Sequence, residues 1–201
     1  MTRRTLAAAA GLLLGAAPLA AQEHPPQPWE RRTHPTASIG ADALFSTIGT
    51  SGGDRVHDGG GFDVHAGLSV SAFSLAAGYQ RTMHDYAGAS SRATYSGPYV
   101  EPRLSLDLGG TSFTPYLAGR VGRLTQKTPA STTNVPGSRT GTLLGAGGGV
   151  LVYVSHAVAL DVGAMWSTLE FGSGTDAIAP SPYVGGGGAG ALLKAGLRVT
   201  P

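Results

Sequence analysis

Ten titratable side chains stand at polar positions of otherwise apolar stretches: Asp42, Asp63, His65, Glu101, Arg103, Asp107, Arg120, Asp161, Lys194 and Arg198. Groups of both signs in such settings either pair as a structural plug or line a path for protons or ions. Asp63 and His65 are two apart, so on a strand they share a face and form the base half of a nucleophilic site. Only Ser69 or a serine on a neighbouring strand could serve as nucleophile, and the adjacent Ser155 and His156 diverge. Gly185-Gly-Gly-Gly-Ala-Gly190 spells G-x-G-x-x-G, but no helical pattern follows to hold a dinucleotide. Gly145 to Gly149 lacks the Gly-Lys-Ser/Thr of a phosphate loop. Asp54, His57 and Asp58 could gather a divalent cation, yet their spacing is unspecific and they read as a solvated loop. These residues predict no catalytic group, no cofactor and no resident metal.

The elements that position the ten are strands. In 98–108, Val100, Pro102, Leu104, Leu106 and Leu108 alternate with Tyr99, Glu101, Arg103, Ser105 and Asp107. Segments 62–70, 158–166 and 189–199 alternate in the same way, and 36–49, 73–84, 113–126 and 140–154 do so more weakly. A period of two over eight segments, with almost no helical periodicity, predicts an all-β fold. Short connections at 71–72, 109–112 and 155–157 alternate with longer ones at 50–59, 85–95, 127–139 and 171–183. The apolar phase flips across 71–72, as a two-residue hairpin requires. Short turns on one side and long loops on the other predict an antiparallel up-and-down transmembrane β-barrel, with short periplasmic turns and longer external loops.

The polar face holds the ten residues and glycines such as Gly67, Gly78, Gly147, Gly163 and Gly196. On a soluble barrel's outer surface so many glycines would only weaken the strands. Inside an eight-stranded barrel, whose lumen side chains can fill, they make room for long charged groups. The polar face is therefore assigned to the lumen and the apolar face to lipid. Hairpin arithmetic sharpens this. Pairing Leu108 with Phe113 puts Glu101 opposite Arg120, and pairing Val70 with Phe73 puts Asp63 opposite Gln80. Asp42 and Lys194 should meet at similar height across the closing seam. Pro102, in mid-strand, cannot donate to a ladder, so a bulge or a water is expected beside it.

The chain has 201 residues, no Cys and 32 Gly, with only 13% charged. No Cys excludes a disulfide scaffold, a thiolate metal site and a Cys nucleophile. Met1-Thr-Arg-Arg4, an apolar run from Leu6 to Leu19 and Ala20-Ala21 read as a cleaved signal peptide over 1–22. The run is too short for a spanning helix, which needs ~20 residues. Without Arg3 and Arg4 the 14 basic residues fall to 12, against 12 acidic. That balance argues against a nucleic-acid partner. Residues 23–35 carry Pro25, Pro26, Pro28 and Pro35 and read as an extended periplasmic tail. The barrel then occupies 36–201.

The eight strands, the signal peptide and Thr114-Pro-Tyr-Leu-Ala-Gly-Arg120-Val-Gly122 resemble the small outer-membrane barrels of OmpX and OmpA-barrel type. In that family such a stretch begins an upward strand after a short periplasmic turn. The resemblance implies export, outer-membrane insertion by the barrel-assembly machinery and contact with lipopolysaccharide. The family usually ends in an aromatic residue, whereas this chain ends Leu197-Arg-Val-Thr-Pro201. Barrel lipid A deacylases of this size use a Ser two residues after a His, a spacing that none of the six His here has. The lipid-side aromatics are few: Phe62, Phe73, Tyr79, Trp166 and Tyr183. Arg81, Arg123, Lys127 and Arg139, with Arg92, lie toward the long loops, where they could touch anionic outer-leaflet sugars. The expected function is a non-enzymatic barrel with a structural or surface-interaction role. The competing readings are a small passive channel and a soluble lipocalin-like carrier of a hydrophobic ligand.

Overall fold

The computed structural model describes residues 35–50, 56–86, 92–106, 108, 112–128, 137–171 and 188–201. The expected signal peptide, nearly all of the tail, Asp54, Asp107 and Tyr183 lie outside the described residues, as does the side chain of His57. The elements are β1 (Thr36–Ser46), β2 (Gly49–Thr50), β3 (Val56–Val70), β4 (Phe73–Tyr86), β5 (Arg92–Ser105), β6 (Phe113–Thr128), β7 (Gly137–Tyr153), β8 (Val158–Phe171) and β9 (Gly188–Val199). Each long strand pairs antiparallel with the next, and β1 pairs with β9 to close the sheet. The two-residue β2 adds to the same seam by pairing with β9. The fold is thus an eight-stranded up-and-down barrel.

The period of two sorts side chains between two environments. Trp166, Leu68 and Leu117 point outward, 62%, 60% and 57% exposed, whereas Asp63, Glu101 and Asp161 are fully buried. This inverts the arrangement of a water-soluble protein, and lipid is the solvent that favours it. Phe62, Phe73, Tyr79 and Trp166 are all on the exposed face, joined by Phe45 and Phe113.

The expected registers recur. Asp63 pairs with Gln80 and Val70 with Phe73. The β5–β6 ladder runs from Thr94–Lys127 to Ser105–Tyr116 with one constant offset, the one that sets Glu101 against Arg120. At the two-residue turn Ser71 has φ of 54°. That left-handed conformation costs a non-glycine residue roughly 1–2 kcal/mol, and the matched hairpin twist offsets it. At the 155–157 turn the Ser155 hydroxyl accepts from the amides of Ala157 and Val158.

Two expectations need correction. The strands on the long-loop side run further than alternation indicates: β3 starts at Val56, β5 at Arg92 and β8 ends at Phe171. There the inward positions turn apolar (Ala93, Tyr95, Leu169) and the outward ones polar (Arg92, Thr94, Glu170), so the pattern of the belt is lost while the backbone ladder continues. In the other direction β5 ends at Ser105, leaving Leu106 and Leu108 exposed past its end. Pro102 also makes no bulge. Its pairing with Leu75 on β4 is regular, and the β6 register is the same on either side of the gap it leaves. Gly119 opposes it: a Cβ there would stand 3.9 Å from the proline ring. Replacing Pro102 with valine should restore one ladder bond and raise stability by about 1 kcal/mol. The check is a higher temperature for loss of the folded band on unboiled SDS gels; a lower one would show that the proline fits better than a ladder bond.

Candidate functional site

The buried polar groups form one network inside the barrel. Arg120, on β6, donates from Nε to Glu101 Oε2 at 2.7 Å, from Nη1 to Gln80 Oε1 at 2.8 Å and from Nη2 to Asp63 Oδ2 at 3.3 Å. Its guanidinium carbon lies 3.8 Å from the centre of the Tyr99 ring. Arg103 donates from Nε to Glu101 Oε1 and from Nη1 to Asp161 Oδ2, each at 2.7 Å. Lys194 Nζ donates to Glu101 Oε1 at 3.0 Å and stands 3.6 Å from Asp161 Oδ2. The Tyr116 hydroxyl donates to Asp161 Oδ1. Charge-assisted contacts of this kind are the strong form of hydrogen bond; among the described lumen groups Asp42, His65 Nε2 and the Tyr99 hydroxyl stand outside them, buried without a hydrogen-bond partner.

Glycines make the space, though not only for the charges. A Cβ on Gly149 or Gly163 would sit 2.5 or 2.7 Å from the Tyr116 hydroxyl, and one on Gly78 would sit 2.8 Å from Tyr99 Cζ. The flat wall of β7 and β8 is therefore a seat for tyrosine. Tyr99 and Tyr116 were not singled out from sequence, but their strand parity, shared with Glu101 and Arg120 respectively, marks them as lumen-facing.

The remaining expected lumen residues divide. Asp42, His65 and Arg198 are buried. The pairing of Asp42 with Lys194 is not found: Asp42 lies opposite Gly196 and Lys194 opposite Leu44, and Lys194 turns to Glu101 and Asp161 instead. Those two carboxylates approach from β5 and β8 and together outcompete one. Arg198 sits lower, donating to the Ser38 and Ser69 hydroxyls at 3.1 and 3.0 Å. His65 Nδ1 lies 3.1 Å from Asp63 Oδ1. Ser69, the nearest nucleophile considered, instead accepts from Arg198.

On the long-loop side of the network, Ala93, Tyr95, Leu124, Leu143 and Leu169 make an apolar cluster. It borders a small cavity of about 30 Å³ that Gln80 and Thr82 also line. Arg81, Arg123 and Lys127 lie outside, exposed on β4 and β6, whereas Arg139 is half-buried on β7. Arg92 is already paired with Asp85 at 2.8 Å.

No family model matches the chain, and no curated protein sequence matches it. Solved structures do. Neisserial surface protein A superposes with a TM-score of 0.66 at 21% identity, covering 83% of this chain and 98% of that one. Ail, the attachment invasion locus protein of Yersinia pestis, crystallised with the heparin analogue sucrose octasulfate, gives 0.52 at 15% identity over 82% and 99%. The chain therefore has the fold of the small eight-stranded outer-membrane barrels.

Proposed function

We propose that the protein is a non-enzymatic integral outer-membrane barrel whose lumen is plugged and whose long-loop end meets the anionic cell surface. The observation that carries this reading is the pairing of an apolar exterior with a cross-linked ionic interior. Such a chain is stable only with hydrocarbon outside it. The Arg103–Asp161 and Lys194–Glu101 contacts cross the lumen from β5 to β8 and β9, so they oppose a continuous aqueous path. The passive-channel reading needs that path, and the soluble-carrier reading needs an apolar lumen throughout. A signal peptide over 1–22 accounts for export, and the barrel-assembly machinery for insertion.

Polyanionic sugar is the partner that suits Arg81, Arg123 and Lys127, which stand outward above the belt on β4 and β6, one strand apart. Arg123 and Lys127 are four apart on β6 and so share one face. The heparin analogue bound to Ail is a partner of the same chemistry. Thr125 and Thr140, hydrogen-bonded to each other on that face, add hydroxyls.

Full-length protein expressed with its own leader should fractionate with outer membranes and shift on SDS gels only after boiling. It should give no steady conductance in planar bilayers. Recovery in the soluble periplasm without a shift would overturn the membrane assignment, and ohmic channels would overturn the plug. Replacing Arg123 and Lys127 with Gln should raise outer-membrane permeability to detergents; unchanged permeability would remove the lipopolysaccharide contact.

A further inference from the structure

The carboxylates of the lumen are not equally served. Among the described residues its carboxylates are Asp42, Asp63, Glu101 and Asp161, and its cations are Arg103, Arg120, Lys194 and Arg198, the last spent on the Ser38 and Ser69 hydroxyls. Asp63, Glu101 and Asp161 each accept from a cation. Asp42 does not: both its oxygens are buried without a hydrogen-bond partner, and its side chain is fully enclosed. The Nε2 of His65 is likewise buried without one. A carboxylate without a donor inside a barrel is costly unless something positive meets it.

The three nearest ligand-bearing groups converge. One ligand atom each from Asp42, His65 and Asp161 lie within 4.8 Å of one another, and all three residues are buried. Ligands at the ~2.0–2.2 Å typical of nitrogen and oxygen on zinc stand closer together than that, so a small inward movement would close the shell. Two glycines clear the ground. A Cβ on Gly196 would lie 2.2 Å from Asp42 Oδ1, and one on Gly40 would lie 2.5 Å from His65 Nε2. His65 Nδ1 faces both Asp63 Oδ1 at 3.1 Å and Asp42 Oδ2 at 3.9 Å, and Nε2 is left without a partner.

We propose that Asp42, His65 and Asp161 form a binding site for a divalent transition-metal ion of the zinc class inside the barrel. One nitrogen and carboxylate oxygen suit that class. The ion supplies the positive charge that Asp42 lacks, while Asp161 keeps its bonds to Tyr116 and Arg103 through its remaining lone pairs. Lys194 retains Glu101. The site draws on β1, β3 and β8, so the ion ties β1 and β3 to β8 across the closing strand β9. Sequence alone hid this, because the three residues lie far apart in the chain and share no spacing motif.

The test refolds the full-length chain in detergent with zinc, dialyses it against buffer with and without EDTA, and counts bound zinc by elemental analysis. One zinc per folded chain is expected, removed by EDTA. The temperature at which the folded band is lost on unboiled gels should be higher in the zinc-loaded protein. D42N and H65Q should still fold, judged by the same gel, but should lose both the zinc and the zinc-dependent shift. No retained zinc in the folded wild type overturns the proposal. So does zinc retained equally by D42N and H65Q. Higher stability of D42N together with indifference of the wild type to zinc also overturns it, in favour of a proton held at Asp42. Should a variant fail to fold, zinc titration of the folded wild type still decides.

Discussion

Replacing Arg120 with alanine is expected to cost about 3–5 kcal/mol of barrel stability, the usual loss when one partner of a buried ionic group is removed. The side chain is 1% exposed, binds three residues on three other strands and lies over Tyr99. Its loss leaves Asp63 with His65 alone and removes the cross-link between β3, β4, β5 and β6. Lysine should recover only part, because a point charge cannot serve Glu101, Gln80 and Asp63 at once. Arg120→Met combined with Glu101→Gln should cost less than the sum of the two single changes, since the pair is coupled. Denaturant titration of the refolded protein, read by gel shift, measures all of these. A loss below about 1 kcal/mol for Arg120→Ala would mean that the network behaves as an exposed one.

Val121→Arg tests the opposite face. Val121 is half-way along β6 and 53% exposed among apolar neighbours, paired with Val100 and Leu144. At the bilayer midplane an arginine on the lipid face costs about 2–4 kcal/mol. In vesicles the variant should unfold at lower denaturant by that amount. A soluble carrier with the same coordinates would present residue 121 to water and accept arginine with almost no loss. Unchanged stability of Val121→Arg would therefore overturn the lipid-facing assignment while leaving the barrel itself intact.

Much of this architecture is legible in the sequence because a closed sheet has a side-chain period of two and simple turn arithmetic. The Glu101–Arg120 contact follows from counting outward from one turn. Strand ends on the long-loop side are not legible, since the ladders continue where the inward positions turn apolar (Tyr95, Leu124, Leu169) and the outward ones polar (Thr94, Arg123, Glu170), the reverse of the belt. The partners of Lys194 are not legible either: register fixes its neighbours on β8 and β1, but its amine reaches across the lumen to β5. Long flexible side chains inside a barrel choose among partners by the whole cross-section. Tyr116 was hidden for a related reason. Its seat is built by glycines on β7 and β8, and a glycine's role depends on what faces it.

The seam between β1 and β9 has one further consequence. Its strand pairing runs from Ile39–Val199 to Ser46–Leu192, passes through Thr47, whose amide donates to the Ala191 carbonyl, and leaves the strand at Ile48 before the two residues of β2 resume the same register. The β6–β7 pairing, by contrast, runs unbroken from Phe113–Val152 to Thr128–Gly137. The seam also joins the two segments most distant in the chain, so its closure carries the largest loop entropy. The wall thus has a built-in order of assembly. Neighbouring hairpins zip first, the ring closes last, and the same line is where amide protons would exchange soonest. A cylinder in this sense is a ribbon with a clasp, and the residues around Asp42 are set at the clasp.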